Sequence, residues 1–146
     1  MTLAPGQMLC FALYSAAHAM QAAYAPLLTP YGLTYPQYLV LSALASGGPT
    51  GQPGQSLGQI GAHLMLDSNT LTPMVKRMET AGWLVRARNP ADERQVLVHL
   101  TEAGQTLVAQ IAGVPDCFVA QTGLDPDGIE DLRTSLAALR DRMRPR

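Results

Sequence analysis

The stretch LCFALY, residues 9–14, sets Cys10 in a run that carries no charge for a long way on either side. As its thiolate, a cysteine can attack a peroxide; buried, it is most often a small hydrophobe. What surrounds Cys10 decides between the two. On an α-helix Tyr14 shares the face of Cys10, and His18, read as structural, lies a further turn along, about 12 Å from the thiol. Tyr24 would lie roughly 21 Å along the axis, out of reach of its own Cys10. In a two-fold dimer, however, Tyr24 could reach the thiol of a second copy, and so could Tyr35 from the next helix. No Lys or Arg lies nearby in sequence, so the available stabilisers of a thiolate are phenolic O–H groups and a helix N-terminus near Gly6. Cys117 is the second thiol. It follows Pro115-Asp116 at an expected break between helices, and a sulfenic acid at Cys10 can be resolved by such a thiol or capped by a small one.

Charge separates a second set of residues. All ten basic residues lie between Lys76 and Arg146, while Asp67 is the only charged residue in the first 75. Lys76, Arg77, Arg86, Arg88 and Arg94 put half of the basic residues into one short segment, against Glu79, Asp92 and Glu93. A local positive surface can therefore exist although the net charge is −1. The uncharged half needs covering, and a partner chain is the expected cover. At 146 residues and 47% hydrophobic composition the chain suits one domain, 1–146, with a real core. Two cysteines are too few for a disulfide framework. The start shows no basic n-region and no apolar run reaches the length of a span, so a signal peptide and a membrane are not expected, and a cytoplasmic location is. Nothing calls for a metal or another cofactor.

The elements that must hold these residues are mostly helical. Residues 7–23, rich in Ala and Met, read as a helix ended by Pro26, Pro30 and Gly32. A second helix runs from Tyr35 to Ala45 behind a Thr34 cap, and residues 46–55 form a loop. Ser56 to Gln59 has the capping-box pattern and opens a short helix bearing Leu57, Ile60 and Leu64. A turn at 65–69 precedes a further helix, for which the breaker Pro73 argues a start at Thr72 and which Gly82 closes. WLVRAR and QVLVHL flank NPADER as a hairpin, with Val96, Val98 and Leu100 on one face. Thr101 caps another helix, interrupted near Val114-Pro115. Asp125-Pro126 starts the last, whose stripe of Ile129, Leu132, Leu136, Leu139 and Met143 is either core or a dimer seam.

Short helix, turn, second helix and hairpin within 56–100 is the plan of a winged helix-turn-helix, with the second helix in the major groove and the hairpin beside it. Three stretches, LTYPQYLVLSAL, LDSNTLTPMVKRMETAGWLVRARNPADERQVLVHLTEAG and LCFALYSAAHAM, resemble the MarR family, specifically its organic-hydroperoxide-sensing, OhrR-like branch. The resemblance covers roughly residues 7–110. It implies a mainly α fold with a small β-hairpin wing, a homodimer whose N- and C-terminal helices (7–45 and 101–146) form the interface, and a recognition helix starting near Asp67. It also implies that Ser68, Thr70, Thr72, Lys76 and Arg77 face the groove, that Asp92 and Arg94 form the wing tip, and that Cys10 is a reactive thiol contacted by Tyr14, Tyr24 and Tyr35 across the dimer. The clustered basic charge adds Arg86 to the expected DNA contacts, and Asp92, which cannot attract phosphate, is expected to orient Arg94. Some relatives carry a second cysteine that forms an intersubunit bond, the role this gives Cys117.

The expected function is a repressor that binds a pseudo-palindromic operator in double-stranded DNA as a homodimer and releases it when an organic hydroperoxide oxidises Cys10. The resemblance implies that the regulated gene encodes a thiol peroxidase that removes organic hydroperoxides. Two alternatives compete. One is a MarR-type repressor switched by a phenolic or lipophilic ligand in the same apolar region. The other is a thiol peroxidase, against which stand the lack of an Arg or paired carboxylate near Cys10 and the presence of a basic wing. The chain is accordingly not expected to be an enzyme.

Overall fold

A computed structural model describes residues 3–48 and 51–144, so the tip of the 46–55 loop and the last two residues of the basic tail lie outside the described residues. The chain divides into two compact units, residues 1–112 and 113–146.

The first unit opens with a short 3-10 turn and then α1 (Leu9–Leu28). The helix runs five residues past the expected end and takes Pro26 into its last turn. Pro26 removes one hydrogen bond there. Burial of Tyr24 and Leu28 on the extra turn offsets that loss, and both the amide and the hydroxyl of Thr29 donate to the Ala25 carbonyl at its end. A 3-10 turn follows, and Gly32, at φ 68°, reverses the chain. α2 (Tyr35–Ala45) begins as expected, with the Thr34 hydroxyl accepting from the Gln37 amide. Its Val40, Leu41, Ala43 and Leu44 are buried in their own chain, although the resemblance groups this helix with the dimer elements.

α3 (Leu57–Leu64) starts at the Ser56–Gln59 capping box and stops at Met65, whose φ of 56° turns the chain left-handed. α4 (Ser68–Thr80) starts where the resemblance implied and not at Thr72: the Asp67 carboxylate accepts the Thr70 amide, and Pro73 lies inside the helix. Leu71, Met74, Val75 and Met78 on one side of α4 are buried, and anchoring that whole face outweighs one missing bond at Pro73.

The hairpin pairs β1 (Leu84–Asn89) with β2 (Asp92–Leu100), antiparallel, with Leu84 opposite Leu100. β2 begins earlier than QVLVHL because Asn89 pairs with Asp92, past a register shift at Arg88/Asn89. Val98 is fully buried while Val96 is exposed, so only the base of the hairpin lies on the core and its outer half projects. Gln55 adds a bridge to this sheet through two backbone bonds with Val98, of 3.1 and 2.8 Å. α5 (Glu102–Gln110) is capped by Thr101, whose hydroxyl also donates to the Gly82 carbonyl. The core joins Val40 and Leu41 of α2, Ile60 of α3, Leu71, Val75 and Met78 of α4 and Val98 of β2.

In the second unit, α6 (Val114–Thr122) ends at Gly123, and α7 (Pro126–Met143) is capped by Asp125. α7 buries no residue. Leu132, Leu136 and Met143 are exposed, which removes the core alternative for those three members of the stripe. Among the described residues no single helix is long and apolar enough to cross a membrane.

Candidate functional site

The first candidate surface is α4 with the hairpin. Because its apolar residues face the core, α4 turns Ser68, Asn69, Thr72, Pro73, Lys76, Arg77 and Thr80 outward. Asp67 fixes the start of this face and also accepts the Thr70 hydroxyl at 3.3 Å, so Thr70 is engaged in the cap. Arg86 is half-buried and donates to Glu79 at 2.8 Å, tying β1 to the end of α4. Lys76, Arg77, Arg88 and Arg94 are exposed and, among the described residues, form no ion pair. At the tip, Asp92 Oδ1 accepts the backbone amide of Arg94 at 3.1 Å, so the carboxylate acts on Arg94 through the main chain. The Asn89 amide group bonds Gln95 Oε1 and accepts from the Ala91 amide, closing the turn.

The second candidate surface is the first half of α1. Cys10 is exposed, as are Met8, Leu9, Phe11 and Tyr14. Tyr14 is 62% exposed although its ring packs 4.4 Å from His18. An unbroken α1 keeps Tyr24 about 21 Å from Cys10 within one chain. Tyr24 instead joins Tyr35 and Tyr38, with ring centroids 4.8 Å from Tyr35 and 5.6 Å from Tyr38. Burial and the neighbouring phenols Tyr38 and Tyr35 push the Tyr24 pKa up to about 12. Burial raises those of Tyr35 and Tyr38 as well. All three phenols thus stay protonated, as hydrogen-bond donors, through the pH range where a thiol ionises. Cys117 is exposed in the first turn of α6, in the other unit.

Sequence reasoning missed three residues. Tyr38 completes the phenol cluster, and its position three after Tyr35 on a helix was the available signal. Asn69 lies on the exposed stripe of α4, three residues before Thr72 and seven before Lys76. Gln55 is 1% exposed and donates from Nε2 to the Ala43 carbonyl at 2.8 Å, and no local pattern announces it. Among the described residues no group of three or more His, Cys, Asp or Glu is placed to hold a metal.

Comparison with known proteins matches residues 22–111 to the family described as transcriptional regulator SarA/Rot. The chain is 44% identical over 138 residues to the HTH-type transcriptional regulator TtmR of Methylorubrum extorquens, covering 94% of this chain and 68% of that protein. It is 40% identical over 131 residues to the organic hydroperoxide resistance transcriptional regulator of Bacillus subtilis, covering 90% and 84%. Among solved structures, reduced AbfR bound to DNA is 34% identical, with a TM-score of 0.72 over 93% of this chain and 91% of that one. The overoxidized form of AbfR, also on DNA, is 35% identical with a TM-score of 0.70 over 93% and 92%.

Proposed function

The chain belongs to the MarR/SarA-type family of winged-helix, DNA-binding transcriptional regulators, and we propose that it is a homodimeric repressor that lets go of its operator when an organic hydroperoxide oxidises Cys10. The observation that carries this reading is the exposure of Cys10 and of Tyr14, one turn apart on the same face of α1, with the flanking Leu9 and Phe11 also uncovered and uncharged. A second copy seated there would shield the thiol and bring its own Tyr24 and Tyr35 toward it. Phenols that keep their protons can then donate to the thiolate, and an apolar surround favours a peroxide with an organic tail. The identities with a hydroperoxide-resistance regulator and with the redox-named AbfR structures support the same reading.

In the chemical step the Cys10 thiolate attacks the terminal peroxide oxygen. The O–O bond breaks, an S–O bond forms, and the alkoxide takes up the proton the thiol gave, so Cys10 becomes a sulfenic acid as the peroxide becomes an alcohol. The Cys117 thiol of the partner can then attack that sulfur, forming a disulfide and releasing water. Each oxidation is a signal and not a turnover, so the chain is a regulator and not an enzyme, acting in the cytoplasm, where thiols are kept reduced. On DNA, two copies of α4 enter major-groove half-sites about one helical turn apart, with Arg94 at the wing. Rearrangement around Cys10 at the dimer interface changes the spacing of the two α4 helices, and both must engage in register.

Operator binding tests the proposal. Reduced protein should bind, limiting organic hydroperoxide should release it at concentrations where hydrogen peroxide does little, and Cys10→Ser should bind yet ignore both. Normal release of Cys10→Ser by hydroperoxide would overturn it. Non-reducing electrophoresis in the absence of small thiols tests Cys117: a covalent dimer lost in Cys117→Ser is expected, and a persistent monomer band in the wild type counts against that step.

A further inference from the structure

We propose that Asn69 is a specificity-determining residue that reads adenine in the operator, an inference that rests on α4 being the groove-reading helix. Asn69, Thr72, Pro73, Lys76 and Thr80 recur at helical spacing and form one outward stripe, opposite the buried Leu71, Met74, Val75 and Met78. Asn69 is the second residue of α4, and in helix-turn-helix proteins the N-terminal residues of the recognition helix meet the base edges.

Three features single it out among its neighbours. Its side-chain amide receives no hydrogen bond from any described residue, whereas the Thr70 hydroxyl is held by Asp67. Pro73 lies four residues on and has no N–H, so the Asn69 carbonyl lacks the donor a helix normally supplies. That leaves one main-chain acceptor of the same residue without its usual helical partner. Finally, Ser68 and Thr72 present single hydroxyls, which suit several bases, and Lys76 presents a point charge. Only Asn69 places a donor and an acceptor in one plane, the pattern that matches N7 and the 6-amino group of adenine.

The test selects duplexes from a random pool with the reduced full-length protein and its Asn69→Ala and Lys76→Ala variants. Alanine at an exposed helix position removes no packing and favours the helix, and circular dichroism checks that the variant is folded. The wild type should prefer adenine at one position in each half-site. Asn69→Ala should lose that preference, bind about ten- to a hundred-fold more weakly and keep the wild-type salt dependence, because no charge is removed. Replacing that adenine by 7-deazaadenine should weaken the wild type and leave Asn69→Ala unaffected. An unchanged base preference in Asn69→Ala, with Lys76→Ala binding weakly, overturns the role of Asn69 alone. Unchanged binding by both variants overturns the assignment of α4 as the reading helix, and Asn69 with it.

Discussion

A phenol that donates a hydrogen bond to a thiolate must keep its own proton where the thiol has lost one. Tyr24 meets this condition: it is 8% exposed, packed between Tyr35 and Tyr38, with its pKa pushed up to about 12. The same displacement has a consequence for stability. Below pH 10 the phenol is protonated in the folded and the unfolded chain alike and contributes no pH dependence. Between pH 10 and about 12 the unfolded chain ionises while the folded chain holds its proton, so stability falls as the pH rises. The slope from this group is at most about 1.4 kcal/mol per pH unit. Denaturant unfolding at pH 9, 10 and 11, set as about evenly spaced points across this onset, should show a shallower alkaline decline in Tyr24→Phe than in the wild type. Identical slopes would mean that the folded state does not hold this proton.

At the scale of elements, the wing and α4 act together because Arg86 and Glu79 join them. Arg86 is already neutralised, whereas the Arg94 guanidinium has no ion pair among the described residues. The two arginines should therefore fail differently. Arg94→Ala should weaken operator binding and lower the slope of log affinity against log salt by about one. Arg86→Ala should weaken binding by loosening the hairpin and leave the slope nearly unchanged. Equal slope losses in both variants would show that Arg86 reaches phosphate in the complex. The same elements show where sequence reasoning reached. The caps at Thr34, Ser56, Thr101 and Asp125 are local signals, and each helix starts where its cap predicts. Pro26 and Pro73 misled, because burial of Tyr24 and Leu28, and of Leu71 and Met74, outweighs one lost hydrogen bond. Gln55 was not legible at all: its partners Val98 and Ala43 are set by tertiary pairing, which a linear pattern does not carry. For the site, the basic positions and Cys10 could be picked out by type and spacing. Tyr38 could have been found from its spacing after Tyr35, whereas Asn69 required knowing which face of α4 was left uncovered.

At the scale of the whole molecule, the chain exposes more apolar surface than its own fold uses. In the first unit Leu9 is 65% exposed and Phe11 and Tyr14 are also uncovered; in the second, Leu132, Leu136 and Met143 are. The spacing of the second set makes it a continuous stripe, the form a helix takes when it packs on another helix, while Leu9, Phe11 and Tyr14 leave most of the circumference of the first turns of α1 uncovered. Isolated apolar residues on a surface need no explanation, but a stripe along α7 with no buried member does. A carboxylate placed in such a seam would have to be desolvated twice in a two-fold dimer, once from each copy, and the two charges would repel. Leu136→Glu should therefore shift the protein toward monomer in sedimentation while leaving its helical circular dichroism intact, because Leu136 supports no core in its own chain. Operator affinity should fall with it, since one recognition helix alone loses the gain of binding two half-sites together. If Leu136→Glu stays dimeric at the concentrations where the wild type does, α7 is not the seam, and the contact between copies must be sought on α1 alone.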